Sequence, residues 1–293
     1  KKKLINRELK NFKLMVRVIV ITSGKGGVGK TTTTANVGCA LAKLGKRVVV
    51  LDADVSLRNL DLVLGLENRI VYNAFDVLNE TCRLDQALVK DKRNTNLSFL
   101  PIGQSQLKSE LKIDQMRSII ELLLQKDEDE NYGFDFILID CPAGVELGFK
   151  TAIVCANEAL IVTTPEIAAV RAADKVIGIL YANSINKVSL VINRSRRRMV
   201  LTNNMMSLTD VQDILSIPML GNISEDERVV IAVNKGEPLT TERKLSRTGQ
   251  AFTNIAKNLI TEEEIGEETK PGLFRRLSTL YSNNGQKGLE TNA

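Results

Sequence analysis

Gly24-Lys25-Gly26-Gly27-Val28-Gly29-Lys30-Thr31 is the stretch on which the reading of this 293-residue chain turns. It has the spacing of a phosphate loop: a glycine, four free positions, then Gly-Lys-Thr. Its four glycines let the backbone curl until successive N–H groups face one anion. Lys30 is placed to reach the β- and γ-phosphates of a nucleotide, and the Thr31 hydroxyl to ligate Mg²⁺, with Thr32 next to it. The flanks agree with the loop. Residues 16–21 form a nearly continuous apolar run, as a buried parallel strand requires. Residues 31–44 predict a helix whose N-terminus faces the phosphate. Lys25 is a second cation that a minimal phosphate loop does not need. It is either a solvated lysine or one that reaches a nucleotide phosphate across a dimer interface, and the loop alone leaves both open.

Composition narrows the chemistry. The chain has no tryptophan and no histidine. Ser-His and Cys-His nucleophile pairs and histidine metal sites are therefore excluded, and carboxylates, lysines, backbone amides and a metal remain. The net charge of +5 invites a nucleic-acid partner. Residues 1–14 carry six basic side chains against one acidic, which accounts for all of it. The basicity belongs to an N-terminal extension, expected to lie outside the fold, and no nucleic acid is expected as a partner. The four cysteines (Cys39, Cys82, Cys141, Cys155) show no Cys-x-x-Cys spacing and read mostly as buried thiols in a reducing compartment. No apolar run reaches the roughly 18 residues of a membrane span, and the basic extension lacks the apolar stretch of a signal peptide.

Along the chain, strands and helices alternate. Strands are expected at 47–51, 97–100, 134–139, 159–163, 188–192 and 218–221. Helices are expected at 74–78, 84–89, 113–125, 167–182, 211–215, 229–233 and 245–259, and residues 59–66 are leucine-rich. Residues 127–131 read as an acidic surface turn. The rhythm predicts an α/β fold, a mostly parallel twisted sheet with helices on both faces. Asp52, Asp140 and Asn193 sit at carboxyl ends of strands, where ligands of such sheets bind. Asp140 suits the acid that holds Mg²⁺ directly or through water. Asp52 and Asp54 are candidates to orient an attacking water, or, for one of them, to cap the following segment.

The loop with its extra lysine resembles the MinD/ParA group of deviant phosphate-loop ATPases, which has the P-loop NTPase fold. Within the group the chain is similar to the septum-site-determining branch in its cyanobacterial and plastid form. The residues that carry this are Ser56-Leu57-Arg58-Asn59-Leu60-Asp61, Leu64-Gly65-Leu66-Glu67-Asn68-Arg69, Asp140-Cys141-Pro142-Ala143-Gly144, Thr164-Pro165-Glu166, Val191-Ile192-Asn193-Arg194 and Gly272-Leu273-Phe274-Arg275-Arg276-Leu277. The resemblance covers roughly residues 15–280. It implies ATP and Mg²⁺, with Gly24, Lys25, Gly26, Gly27, Val28, Gly29, Lys30, Thr31, Thr32 and Asn193 around the nucleotide and Asn193 at the adenine. It implies catalytic roles for Lys25, Lys30, Asp52 and Asp54, with Lys25 crossing to the partner's ATP and Asp54 near the hydrolytic water. Thr31 and, through water, Asp140 would hold the metal. It implies an ATP-dependent homodimer, a MinE-like activator, and MinC or other division proteins as partners. The implied site is the chloroplast stroma at the inner envelope membrane, or alternatively the inner face of a bacterial cell membrane. Two departures stand out: Ser56 replaces a usual glycine, and Ile223-Ser224-Glu225-Asp226 replaces Ile-Pro-Glu-Asp near the base.

Residues 15–260 would be the ATPase domain, 261–270 an acidic linker, 271–281 an amphipathic helix and 282–293 a polar tail. Leu273, Phe274, Leu277, Leu280 and Tyr281 share one helical face, with Lys270, Arg275 and Arg276 adding positive charge, as a membrane-targeting helix on an anionic surface requires. The alternative is a terminal helix packed on the core. One short anchor binds marginally, with K on the order of 10⁴ M⁻¹, and two on one dimer add about 10²–10⁴ in avidity. The arginines at 194 and 196–198 read as a solvated loop or an anion patch.

Three rivals remain on the same fold. A ParA-type DNA-partition ATPase calls for basic residues spread over the domain. An iron–sulfur carrier calls for paired cysteines. An ATPase that sets flagellar number shares the membrane helix but not the 57–61 stretch.

Overall fold

The computed structural model of the protein describes residues 16–54, 58–103, 111–125 and 133–268, with side chains as far as residue 261. The N-terminal extension 1–14, Ser56 and Leu57, the acidic turn at 127–131, and the amphipathic segment and tail at 271–293 lie outside the described residues. The chain divides into two compact units, Lys1–Ala256 and Lys257–Ala293. The first holds the sheet. Of the second, the described part is helical backbone to Glu268.

Eight strands form one sheet among the described residues: β1 (Arg17–Thr22), β2 (Val48–Asp52), β3 (Val89–Lys90), β4 (Leu97–Leu100), β5 (Phe136–Asp140), β6 (Glu158–Thr163), β7 (Lys187–Ser195) and β8 (Met219–Ser224). Their order is β3-β4-β2-β5-β1-β6-β7-β8, parallel throughout except for the β3–β4 pair. The helices are α1 (Lys30–Lys43), α2 (Leu60–Leu64), α3 (Ala74–Leu78), α4 (Leu84–Ala87), α5 (Ile113–Leu124), α6 (Leu147–Ile153), α7 (Ile167–Ala182), α8 (Arg197–Leu201), α9 (Leu208–Leu215), α10 (Glu227–Lys235) and α11 (Arg247–Glu268). This is the α/β sheet that the alternation predicts.

The inner strands are apolar on both faces because helices cover both. Val20, Ile21, Val48, Val49, Ile137 and Leu138 are fully buried, each such side chain contributing about 1.5–3 kcal/mol. Helix α1 lies so close to the sheet that a Cβ on Gly38 would stand 2.9 Å from the Val50 side chain.

Strand order sets the site. β1 runs between β5 and β6, and β5 is flanked on its other side by β2. The loops leaving β1, β2 and β5 thus emerge side by side at the carboxyl edge. Within β2 and β5, Asp52 is the register partner of Asp140.

Several boundaries differ from the sequence expectation. The helix expected over 84–89 stops at Ala87, because Leu88 turns extended and Val89 pairs with Phe99 in the β3–β4 hairpin. Strand β7 continues to Ser195, so Asn193 lies within the strand and not at its end. Residues 261–268 of the acidic linker continue helix α11. The arginine run is not wholly loop, since 197–201 form α8. Helix α6 was not foreseen; it is short and has no side-chain cap to announce it.

Candidate functional site

The loop between β1 and α1 depends on left-handed glycines, with φ of 76° at Gly27 and 98° at Gly29. Gly24 serves another purpose. A Cβ there would lie 2.2 Å from the backbone of Ala172 in α7, so only glycine permits that approach. Gly29 precedes α1 without a side-chain cap, and the first N–H groups of this 14-residue helix face the cleft as an anion site.

A cleft of about 680 Å³ opens beside the loop. Gly26, Gly27, Gly29, Lys30, Thr31 and Thr32 line its floor. Asp54, Asn59, Leu62 and Val63 contribute one wall, and Val233, Asn234, Lys235 and Gly236 another, with Ala143 and Arg194 between. The volume suits a nucleotide-sized ligand.

The carboxylates occupy distinct positions. Asp140 is 2% exposed. Thr31 Oγ1 donates to its Oδ2 at 2.6 Å, and Thr34 Oγ1 to its Oδ1 at 3.1 Å. Burial and the neighbouring Asp52 charge push its pKa up to about 7, against the pull of these hydroxyls and Lys30. Asp52 accepts the backbone N–H of Asp54 at 3.0 Å on Oδ1, and those of Asn59 at 3.0 Å and Leu60 at 3.1 Å on Oδ2. It therefore organises the loop leading into α2, the capping alternative that the sequence left open. Burial raises its pKa to about 6 despite these three donors. Asp54 sits half-buried on the cleft wall, on the loop that Asp52 holds.

Thr31 and Asp140 present hard oxygen donors side by side, which fits Mg²⁺. No group of three or more His, Cys, Asp or Glu side chains converges on a metal position among the described residues. A cation here would complete its shell from phosphate and water.

Asn193, to which the resemblance gives the adenine contact, lies in β7 behind the phosphate loop. It is 8% exposed; its amide donates to the Val28 carbonyl at 2.7 Å, and its Oδ1 accepts the Arg194 N–H at 2.9 Å. It positions the phosphate loop from behind. Lys25 reaches Glu166 of the same chain at 3.2 Å, with both side chains about half exposed, a pair that contributes little. At the departing Ser224-Glu225-Asp226 segment, Glu225 pairs with Arg196, and Asp226 caps α10 by accepting the Arg228 N–H at 3.0 Å. The Arg228 guanidinium and the Thr248 hydroxyl bring the pKa of Asp226 down to about 2. Cys39 and Cys141 are buried packing thiols, and burial pushes the Cys39 pKa up to about 12.

Sequence reasoning missed Thr34. Its signal was available: Thr31 and Thr34 stand one helical turn apart and face the same strand end. It also missed Asp91 and Arg93, for which the sequence carries no signal.

Residues 16–195 match the family described as AAA domain. The septum site-determining protein MinD of Synechocystis sp. is 56% identical over 245 residues, 84% of this chain and 90% of that one. The candidate septum site-determining protein MinD of Chlorella vulgaris is 52% identical over 274 residues, 92% of this chain and 95% of that one. Among solved structures, the MinC:MinD cell division protein complex of Aquifex aeolicus aligns with a TM-score of 0.76 at 43% identity, over 84% of this chain and 96% of that chain. The septum site-determining protein MinD of Pyrococcus horikoshii, complexed with Mg-ADP, aligns at 0.73 and 30% identity, over 87% of this chain and all of that chain.

Proposed function

We infer the role of the protein from one premise: the chain belongs to the MinD family of septum site-determining proteins. It is an ATPase that acts in placing the division septum. We propose ATP with Mg²⁺ as its nucleotide, the reaction being attack of water on the γ-phosphorus with cleavage of the β,γ bridge to ADP and phosphate. The observation that carries this is the contact of Thr31 with the buried Asp140 at 2.6 Å, directly beneath the glycine loop. It brings an oxygen pair to the spot where the phosphates of a loop-bound nucleotide end. Lys30 and the loop amides bind the phosphates and offset the charge that develops on them. Thr31 and, through water, Asp140 would hold Mg²⁺, which would supply charge neutralisation when bound. Asp54 orients the water, and Asp52 keeps Asp54 in place through the Asp54, Asn59 and Leu60 amides.

The finer steps follow from the family. ATP drives a homodimer in which Lys25 leaves Glu166 for the partner's nucleotide. The dimer carries two copies of the 271–281 segment, whose Leu273, Phe274, Arg275, Arg276, Leu277 and Leu280 bind an anionic membrane together where one copy does not. A MinE-like activator and MinC are the proposed partners, in keeping with the MinC:MinD complex of the Aquifex aeolicus relative. The cyanobacterial and algal relatives support a chloroplast or bacterial site, and we propose the stromal face of the inner envelope.

Liposome sedimentation tests this reading. The full chain should sediment with anionic vesicles in ATP and stay soluble in ADP, and a chain ending at Lys270 should stay soluble in both. Binding indifferent to nucleotide and to the truncation would remove the membrane switch.

A further inference from the structure

The two walls of the cleft belong to helices far apart in sequence, α2 and α10, and their C-terminal ends meet. Gly65 ends α2 at φ 64° and Gly236 ends α10 at φ 62°. They touch backbone to backbone: a Cβ on Gly65 would lie 2.5 Å from the Gly236 carbonyl oxygen, and one on Gly236 2.6 Å from the Gly65 Cα. The last carbonyls of a helix have no partner within the helix. Here one side chain serves both. Arg93 Nη2 donates to the Leu64 carbonyl at 2.6 Å, and Nη1 to the Gly236 carbonyl at 3.0 Å.

Arg93 is itself fixed. It follows β3 in the hairpin to β4, and Asp91, 2% exposed, faces it. Asp91 Oδ1 accepts from Nε at 3.0 Å, and Oδ2 from Nη2 at 2.5 Å. Oδ1 also accepts the Arg93 backbone N–H at 2.6 Å. The fork of the guanidinium thus spans a carboxylate and two carbonyls, which a lysine ammonium cannot reproduce.

We propose that Arg93, held by Asp91, is a positioning residue for nucleotide retention. It ties the Leu62–Val63 wall to the Val233–Gly236 wall, so that the cleft beside Lys30 and Asp54 keeps its width. The inference rests on the reading of that cleft as the ATP site. Arg93 touches neither Lys30, Thr31 nor Asp140, so its loss should loosen the grip on nucleotide and leave the chemical step largely intact.

The test uses the full chain, with Arg93→Lys and Arg93→Gln, and the probe is a fluorescent N-methylanthraniloyl ATP with Mg²⁺. Both variants should release the probe about tenfold faster and show a KM for ATP raised about tenfold, with kcat within about threefold. Release and KM within twofold of the native chain, beside a lowered melting temperature, would make Arg93 a structural clamp only and overturn the inference. A fall in kcat at unchanged KM would overturn it as well. Arg93→Lys keeps stem and charge and decides the matter if Arg93→Gln does not fold. A native chain that bound no probe would overturn the ATP reading and the inference with it; native binding with unaltered variants overturns the inference alone.

Discussion

Asp140 and Asp91 are both buried aspartates, each 2% exposed, and their surroundings differ in kind. Asp91 faces a guanidinium that it engages with both oxygens. Asp140 receives two hydroxyls and lies in register with a second carboxylate. The strand end around Asp140 therefore holds negative charge in excess of its donors, which suits a cation. The hairpin around Asp91 is complete without a ligand. Burial alone does not separate a functional carboxylate from a structural one; the donor set does.

Substitution should drive the two regions in opposite directions. At pH 8, without nucleotide, Asp91→Asn should cost roughly 3 kcal/mol, because it leaves the Arg93 charge without its partner. Asp140→Asn should raise stability by roughly 1 kcal/mol, because it removes a poorly compensated buried charge, while hydrolysis falls about a hundredfold or more. Urea unfolding and phosphate release measure both. Equal signs in the unfolding experiment would erase the contrast.

Gly65→Ala probes the complete region without touching a charge. It places a side chain at φ 64° and against the Gly236 carbonyl, and a loss of about 1–3 kcal/mol is expected in the same unfolding measurement. A neutral result would show that the two helix ends separate without cost.

The smallest effect concerns the cap of α10. The pKa of Asp226 is depressed to about 2, below its unfolded value. Its stabilisation is therefore present above about pH 4 and lost as pH falls through about 2. Comparison of Asp226→Asn with the native chain should show a stability difference that narrows over that window. A difference that stays constant from pH 5 to pH 2 would count against the cap as its source.

Much of the site was legible from residues alone, for reasons of reach. The phosphate loop is local, so its glycines, Lys30 and Thr31 stand within one turn of backbone. Asp52 and Asp140 were legible as strand ends, although only the register of β2 and β5 made them neighbours. The contact of Asn193 with the Val28 carbonyl was not legible, because β7 continues past Asn193 and the two residues lie 165 positions apart. Helix α6 and the β3 strand were illegible, since runs of seven and two residues carry too little periodicity to declare themselves.

By itself the sequence determined the alternating αβ order, the anion-binding loop and the acids at strand ends. These are properties of short segments, set by apolar period, glycine freedom and side-chain chemistry. Only the tertiary structure decided that Asp52 serves the backbone while Asp140 faces the Thr31 and Thr34 hydroxyls. It alone brought Gly65, Arg93 and Gly236 together. Those pairings depend on strand order and on helices meeting end to end, and contacts between residues more than 140 positions apart, such as Arg93 and Gly236, leave no mark on local sequence.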